Sequence, residues 1–276
     1  MTMRRALFLI MLFVALGCAA QEVIRPVTSA YMIEGGSAHV TATYLSPLKQ
    51  SGWHSALVYQ RNQAMRFNPQ RWEMELGGRI DFGRVRPDYR NAPIWDLTLN
   101  LSWGMLWRYD FAPGWRVLAG GYTDVTLGVL YASRNSNNPA SAKASWTIGP
   151  RAGIRWSSRL GKIPLSVAYK GDIPLTGIFF CPEYGELYYE IMLGNRSGLV
   201  HGAWPGNFFR LRNLLSADFQ FGGTTLRVGY RCDVESIKAN GIINNALTHT
   251  AVFGIVSNWI SLSPGRKVNP DAKIIY

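Results

Sequence analysis

Between residues 95 and 110 apolar and polar positions alternate. Trp95, Leu97, Leu99, Leu101, Trp103, Met105, Trp107 and Tyr109 alternate with Asp96, Thr98, Asn100, Ser102, Gly104, Leu106, Arg108 and Asp110. Successive side chains of a strand point to opposite faces, so a period of two reads as a strand with one apolar and one polar face. The pattern recurs in 71–82, where Trp72, Met74, Leu76, Ile80 and Phe82 oppose Arg71, Glu73, Glu75, Arg79 and Asp81. In 142–156, Ala142, Ala144, Trp146, Ile148, Ala152, Ile154 and Trp156 oppose Lys143, Ser145, Thr147, Arg151 and Arg155. Weaker versions run through 115–131, 163–175, 209–221, 224–234 and 246–259, with two further strands at 38–45 and 52–66.

A strand of a soluble protein averages about five or six residues, whereas most of these runs are far longer. Closing them into a cylinder with the apolar face outward pairs every backbone group and leaves no edge in lipid. The ten residues from Trp146 to Trp156, at about 3.3 Å each and tilted about 40°, span roughly 25 Å, the height of an apolar membrane belt. Trp95, Trp107, Trp146, Trp156 and Trp259 are the expected interfacial girdles. The fold expected is therefore all-β, a transmembrane antiparallel β-barrel. A secreted soluble β-sandwich acting as a binding module also alternates, but its strands are shorter.

Connections order the barrel. Residues 67–70, 111–114, 158–161 and 222–223 are tight and turn-like, while 83–93, 133–141 and 235–245 are longer and polar. Short and long connections in alternation read as periplasmic turns and extracellular loops. The segment 176–206 decides the strand number. A hairpin of 186–193 with 199–204 gives twelve strands, the reading preferred; one folded extracellular loop, for which a short helix also suits 186–193, gives ten.

The N-terminus changes the chain to be folded. Arg4 and Arg5 precede the apolar run 6–16, and Gly17, Cys18, Ala19 and Ala20 supply small residues before Gln21. That is the pattern of a secretory signal peptide at 1–20. Lipoprotein processing at Cys18 is the alternative, disfavoured because Ala15 stands where a lipobox has Leu. The expected order is a periplasmic segment at 21–35, the barrel at 36–260 and a periplasmic tail at 261–276, in the outer membrane of a Gram-negative cell envelope.

Composition alone misleads. Mean hydropathy of −0.02 and a net charge of +12 over 276 residues suggest a basic soluble protein. Sorted by parity, the same numbers become two faces. Loss of Arg4 and Arg5 with the signal peptide lowers the charge to +10. Cys181 and Cys232 remain, and sequence leaves open whether they pair. The absence of a Cys/His cluster speaks against structural zinc, and no cofactor motif is present.

Polar faces turned inward form a lumen lined by ion pairs. The residues expected there are Arg71, Glu73, Glu75, Arg79, Asp81, Asp96, Arg108, Arg151, Arg155, Asp218, Arg227 and Arg231, joined by Asp110, Arg116, Asp124, Lys143, Lys170, Asp172, Arg210, Arg212 and Asp233. Arginine suits bidentate pairing with carboxylates in a confined space. Wide porins need 16 to 18 strands, so a narrow lumen with a structural, small-solute channel or surface role is expected. Expected partners are outer-membrane lipid, lipopolysaccharide or glycans at the extracellular loops, and the barrel-assembly machinery. No stacked aromatic-basic motif points to nucleic acid.

The alternative is a barrel-embedded lipid-modifying enzyme, an acyl hydrolase or acyltransferase. It needs a serine activated by histidine. Only His39, His54, His201 and His249 exist; His54 and Ser55 point to opposite faces, and His249 faces outward by parity. No catalytic residue is assigned.

Several phrases resemble a family: Tyr44-Leu45-Ser46-Pro47-Leu48, Tyr184-Gly185-Glu186-Leu187-Tyr188-Tyr189-Glu190, Trp204-Pro205-Gly206-Asn207 and Leu226-Arg227-Val228-Gly229-Tyr230-Arg231. Together they are similar to an uncharacterised family of Bacteroidota outer-membrane β-barrel proteins, a domain of unknown function. The resemblance covers about 40–256 and implies an outer-membrane location, with no defined activity and no functional residue to transfer.

Overall fold

The computed structural model describes residues 25–87, 92–135, 139–194 and 197–261. The expected signal peptide and the tail beyond residue 261 lie outside them. The strands are β1 (Arg25–Ala42), β2 (Ser46–Ala64), β3 (Trp72–Arg86), β4 (Ile94–Ala112), β5 (Trp115–Ala132), β6 (Ala140–Leu160), β7 (Ile163–Asp172), β8 (Thr176–Phe180), β9 (Val200–Ala203), β10 (Phe208–Phe221), β11 (Thr224–Ala239) and β12 (Ile242–Ser261). One short helix, α1 (Tyr188–Met192), lies between β8 and β9.

Neighbouring strands pair antiparallel from β1 through β7, then β7 with β10, on to β12, and β12 with β1. Ten strands thus close the cylinder. The short β8 and β9 stand outside that circuit, β8 pairing with β6 above the end of β7 and β9 with β8. The twelve-strand expectation is corrected to ten because 186–193 does not pair: its Tyr188–Met192 stretch is helical.

Two boundaries also move. The barrel starts at Arg25 rather than residue 36, since β1 pairs along its length with β12 and over most of it with β2. Residues 235–245 form no long loop. β11 and β12 meet at Asn240 and Gly241, with φ of 51° and 71°, the left-handed pair whose twist matches a two-residue hairpin.

Register fixes the geometry. Stepping from partner to partner, Ala152 leads through Gly171, Asn213, Cys232, His249, Ser37, Trp53, Arg84, Trp95 and Tyr131 to Ala140. The circuit returns to β6 about twelve residues away, a shear that over ten strands tilts them by about 40°. A ten-stranded barrel of that shear has room inside for side chains and little else.

The faces fall as parity demands. Leu97, Leu101, Leu127, Ile148, Phe253 and Ile255 are exposed on the outer wall, whereas Glu34, Glu73, Glu75, Asp124 and Arg151 are buried inside. Trp115 and Trp156 face each other across β5 and β6 near the short-turn end, and Trp72 pairs with Trp107, which stacks on Tyr109. Trp95 and Trp146 are exposed. Trp259 sits on β12 opposite Val27, its side chain outside the described set.

The long-loop mouth is closed by apolar side chains. Ala38, Ala42, Leu45, Val85, Ile94, Leu130 and Ala132 form one cluster, and Phe179, Cys181, Ala203, Phe208 and Ile242 another. Tyr44 touches both, and its hydroxyl donates to Glu186 O at 2.7 Å. Ala142 N donates to Tyr188 Oη at 2.6 Å. Two of the phrases singled out in the sequence therefore meet at one lid. Burial there pushes the Tyr44 phenol up to about 12 and the Cys181 thiol up to about 11. Cys181 and Cys232 are both free.

Candidate functional site: an ion-paired lumen

The lumen is crossed at mid-height by charges from strands that are not neighbours. Glu75 on β3 accepts from Arg151 on β6 at 2.6 Å and from Lys170 on β7 at 2.9 Å. Arg151 also reaches Asp172 at 3.0 Å, and its guanidinium lies 4.5 Å from the Tyr122 ring centre. Gln60 donates to the second Glu75 oxygen at 3.0 Å. These contacts tie opposite walls together.

A second knot centres on Glu34 of β1. It accepts from Arg79 on β3 at 2.7 Å and from Arg231 on β11 at 2.9 Å. Arg79 continues to Asp81 at 2.6 Å, and His54 Nε2 lies 3.1 Å from the same Asp81 oxygen. A third joins Asp124 on β5 to Arg210 and Arg212 on β10 at 3.0 and 2.8 Å. Arg210 holds Glu235 at 2.6 Å, and Lys143 holds Asp96 at 2.7 Å. Nearer the short-turn end, Arg227 grips Asp218 with two nitrogens, at 2.7 and 2.8 Å. Arg108 meets Glu73 at 3.6 Å, and Asn62 donates to Glu73.

These layers divide the lumen. One chamber, about 130 Å³, lies toward the mouth and is lined by Arg79, Lys143, Arg210, Arg212, Asp233 and Glu235 among others. Another, about 170 Å³, lies toward the short turns and is lined by Asn62, Arg155, Asp218 and Arg227 among others. Glu34, Glu75, Arg151, Lys170 and Arg231 line neither.

Of the first twelve lumen residues named from the sequence, ten take part in this lattice. Arg71 does not: it sits in the β2–β3 turn, exposed, its backbone N–H donating to Asn68. Arg155 faces inward along the lower chamber, and among the described residues no ion pair reaches it. Glu34, His54 and Glu235 are participants that pattern reading missed. Glu34 lies in 21–35, the stretch expected to be a periplasmic segment ahead of the barrel, where Gly35 and Gly36 interrupt the alternation. Gly36 is there for contact: a Cβ would stand 1.9 Å from His249 O.

On the outer wall, His249 faces outward as parity requires. Tyr230 Oη lies 2.5 Å from its Nδ1, and Ser37 is its cross-strand partner. Among the described residues no serine hydroxyl is hydrogen-bonded to it. No group of metal-ligating side chains occurs among the described residues.

A closed antiparallel cylinder, apolar outside and ion-paired inside, defines the class: a ten-stranded β-barrel with a charge-crossed lumen. The chain belongs to the family described as "Protein of unknown function (DUF3316)", which matches residues 6–266. No curated protein matches it significantly. Among solved structures it is similar to the outer membrane protease OmpT from Escherichia coli, with TM-score 0.42, 8% identity, 86% of this chain and 97% of that one covered. It is similar to the translocator domain of the autotransporter NalP from Neisseria meningitidis, with TM-score 0.40, 8% identity, and 89% and 92% covered. It is also similar to the outer membrane protein OprG from Pseudomonas aeruginosa, with TM-score 0.33, 10% identity, and 88% and 99% covered.

Proposed function

We propose that the chain is an outer-membrane protein whose barrel is held shut by its own charges. Its role is at the cell surface or in handling a small solute, and it does not act as a general diffusion pore. The Glu75–Arg151–Lys170 bridge carries this reading, because it spans the lumen between β3 and β7 with Glu75 and Arg151 almost wholly buried and Lys170 partly so. The outer wall supports the membrane location: its exposed residues are largely apolar, and the ten strands close into one circuit. With both barrel ends of the chain on the short-turn side, that side is periplasmic and the lidded mouth extracellular. Lipid contacts the belt, lipopolysaccharide or glycans meet the mouth, and the barrel-assembly machinery inserts the chain.

Fractionation and heat-modifiable gel mobility test the location; a fully soluble product overturns it. Planar-bilayer recording tests the lumen. The intact protein should show no sustained open state, and Glu75→Ala with Arg151→Ala should produce discrete conductance steps. A large steady conductance from the unmodified protein would sink the closed-lumen reading.

A further inference from the structure

The barrel wall is not zipped along its whole height. β7 and β10 pair up to Asp172 and Arg212, and the next rung joins Gly177 to Ala203 on β8 and β9. Between these rungs one side advances by residues 173–176 and the other by 204–211. Ile173 and Leu175 donate instead to Pro150 O and Ile148 O on β6, and Phe208 N donates to Trp204 O within its own turn. Among the described residues no backbone hydrogen bond crosses the gap. Pro174 gives a cause, since it has no N–H for a rung.

The height of this seam matters. Ile173 lies six residues above Val167, the partner of Trp156 in the lower girdle. At about 2.5 Å of height per residue that is about 15 Å up a belt of roughly 25 Å. Unpaired backbone at that level is costly in lipid unless it borders a polar cavity. It does border one. Arg210 and Arg212 stand on its inner edge and line the upper chamber, while Leu175 and Trp204 are exposed outside it.

The chamber's charges are balanced and, with one exception, paired. Arg79, Lys143, Arg210 and Arg212 face Asp81, Asp96, Asp233 and Glu235. No ion pair within 4.0 Å and no side-chain hydrogen bond reaches the Asp233 carboxylate among the described residues, although Arg231, Arg79 and Arg212 act on it at longer range, and its Oδ1 is buried without a hydrogen-bond partner. Asp233 is the cross-strand partner of Arg212, which sets their Cβ atoms about 5 Å apart.

We propose that the seam is a lateral portal through which an amphiphile of the outer leaflet places a zwitterionic head in the upper chamber. Its anionic group meets Arg210 and Arg212, its ammonium meets Asp233, and its apolar tail stays in the seam against Leu175 and Trp204. A chamber of about 130 Å³ is of the size of a phosphoethanolamine head. The proposal rests on the membrane reading above and adds its ligand class.

The test uses the full chain, verified as a folded barrel by heat-modifiable mobility, in vesicles containing phosphatidylethanolamine with a photoactivatable acyl tail. Phosphatidylglycerol with the same tail is the control. Crosslinks from the former should concentrate on residues 173–176 and 204–211. Asp233→Asn should lower that yield about tenfold, as loss of one charge contact worth about 1.4 kcal/mol implies, and leave the phosphatidylglycerol yield unchanged. Soluble phosphoethanolamine in excess should leave the yield intact, since it lacks the tail; full competition would show a free solute site and overturn the lipid source. Ile173→Cys with Leu211→Cys, in a Cys232→Ser background, should abolish seam crosslinks when oxidised and restore them when reduced. Even crosslinking around the belt, or indifference to both Asp233→Asn and the oxidised clamp, would overturn the portal. Failure to fold into vesicles would count against the membrane reading instead.

Discussion

Removing the carboxylate of Glu75 should show whether the lumen lattice is dry enough to matter energetically. Glu75 and Arg151 are each only 4% exposed at the side chain, and the pair is 2.6 Å long. In Glu75→Ala, Arg151 keeps Asp172 at 3.0 Å, but Lys170 loses its ion pair without replacement among the described residues. Breaking a buried pair by deleting one partner costs about 3–5 kcal/mol. Lys170→Met is gentler, because Glu75 retains Arg151 and Gln60; loss of one hydrogen bond to a charged group costs about 1.5–3 kcal/mol. If the contacts form one network, the double variant should fall short of the sum by about 1–3 kcal/mol. Reversible urea unfolding in detergent micelles, followed by tryptophan fluorescence, measures all three. Repeating it in 1 M salt adds a control, since a Debye length of about 3 Å screens solvated charges and spares buried ones. Additive costs, or a coupling that vanishes in salt, would refute the picture of a closed, ion-paired lumen.

Other outcomes follow from the lid and turns. Tyr44→Phe should make the segment around α1 cleavable by protease at neutral pH, through loss of the bond to Glu186 O. In the unmodified protein the same cleavage should set in only between pH 10 and about 12. The raised phenol pKa means that closure is fully present below the ordinary tyrosine value and lost as pH climbs through the folded one. Cys181, with its thiol pushed up to about 11 by burial, should react far more slowly with maleimide at pH 8 than Cys232; equal rates would contradict the packed mouth. Gly241→Val, at φ 71°, should cost about 1–2 kcal/mol by forcing a branched residue into the left-handed region, measured by the same unfolding assay.

Long strands with strict parity were legible because one face is apolar on the outer wall and the other polar toward the lumen. β4 and β6 show this throughout. Where the inner face became apolar, the signal failed. Ile237, Ala239 and Ile242 pack at or beside the mouth cluster, so the ends of β11 and β12 lost their contrast and a two-residue turn read as a loop. In 186–193 the alternation was accidental; only the register of β8 with β6 shows that the segment lies above the barrel. The ion pairs themselves were foreseeable as a set of inward charges. Their partners were not, because Glu75 meets residues on strands three and four places away, a relation that tilt and shear decide.

The seam that closes the barrel joins its first strand to its last, from Arg25 opposite Ser261 to Ala42 opposite Asn244. Every other strand pair forms between segments closer in sequence. Until β12 has emerged, β1 and β11 both present bare edges, and neither Glu34 nor Arg231 has its full set of neighbours. Completion of the cylinder is therefore a late, all-or-none event with high contact order. A chain cut short before residue 242 would not be a smaller barrel but a curved sheet with two sticky margins. Copies of the chain must be kept apart until their own final strand arrives.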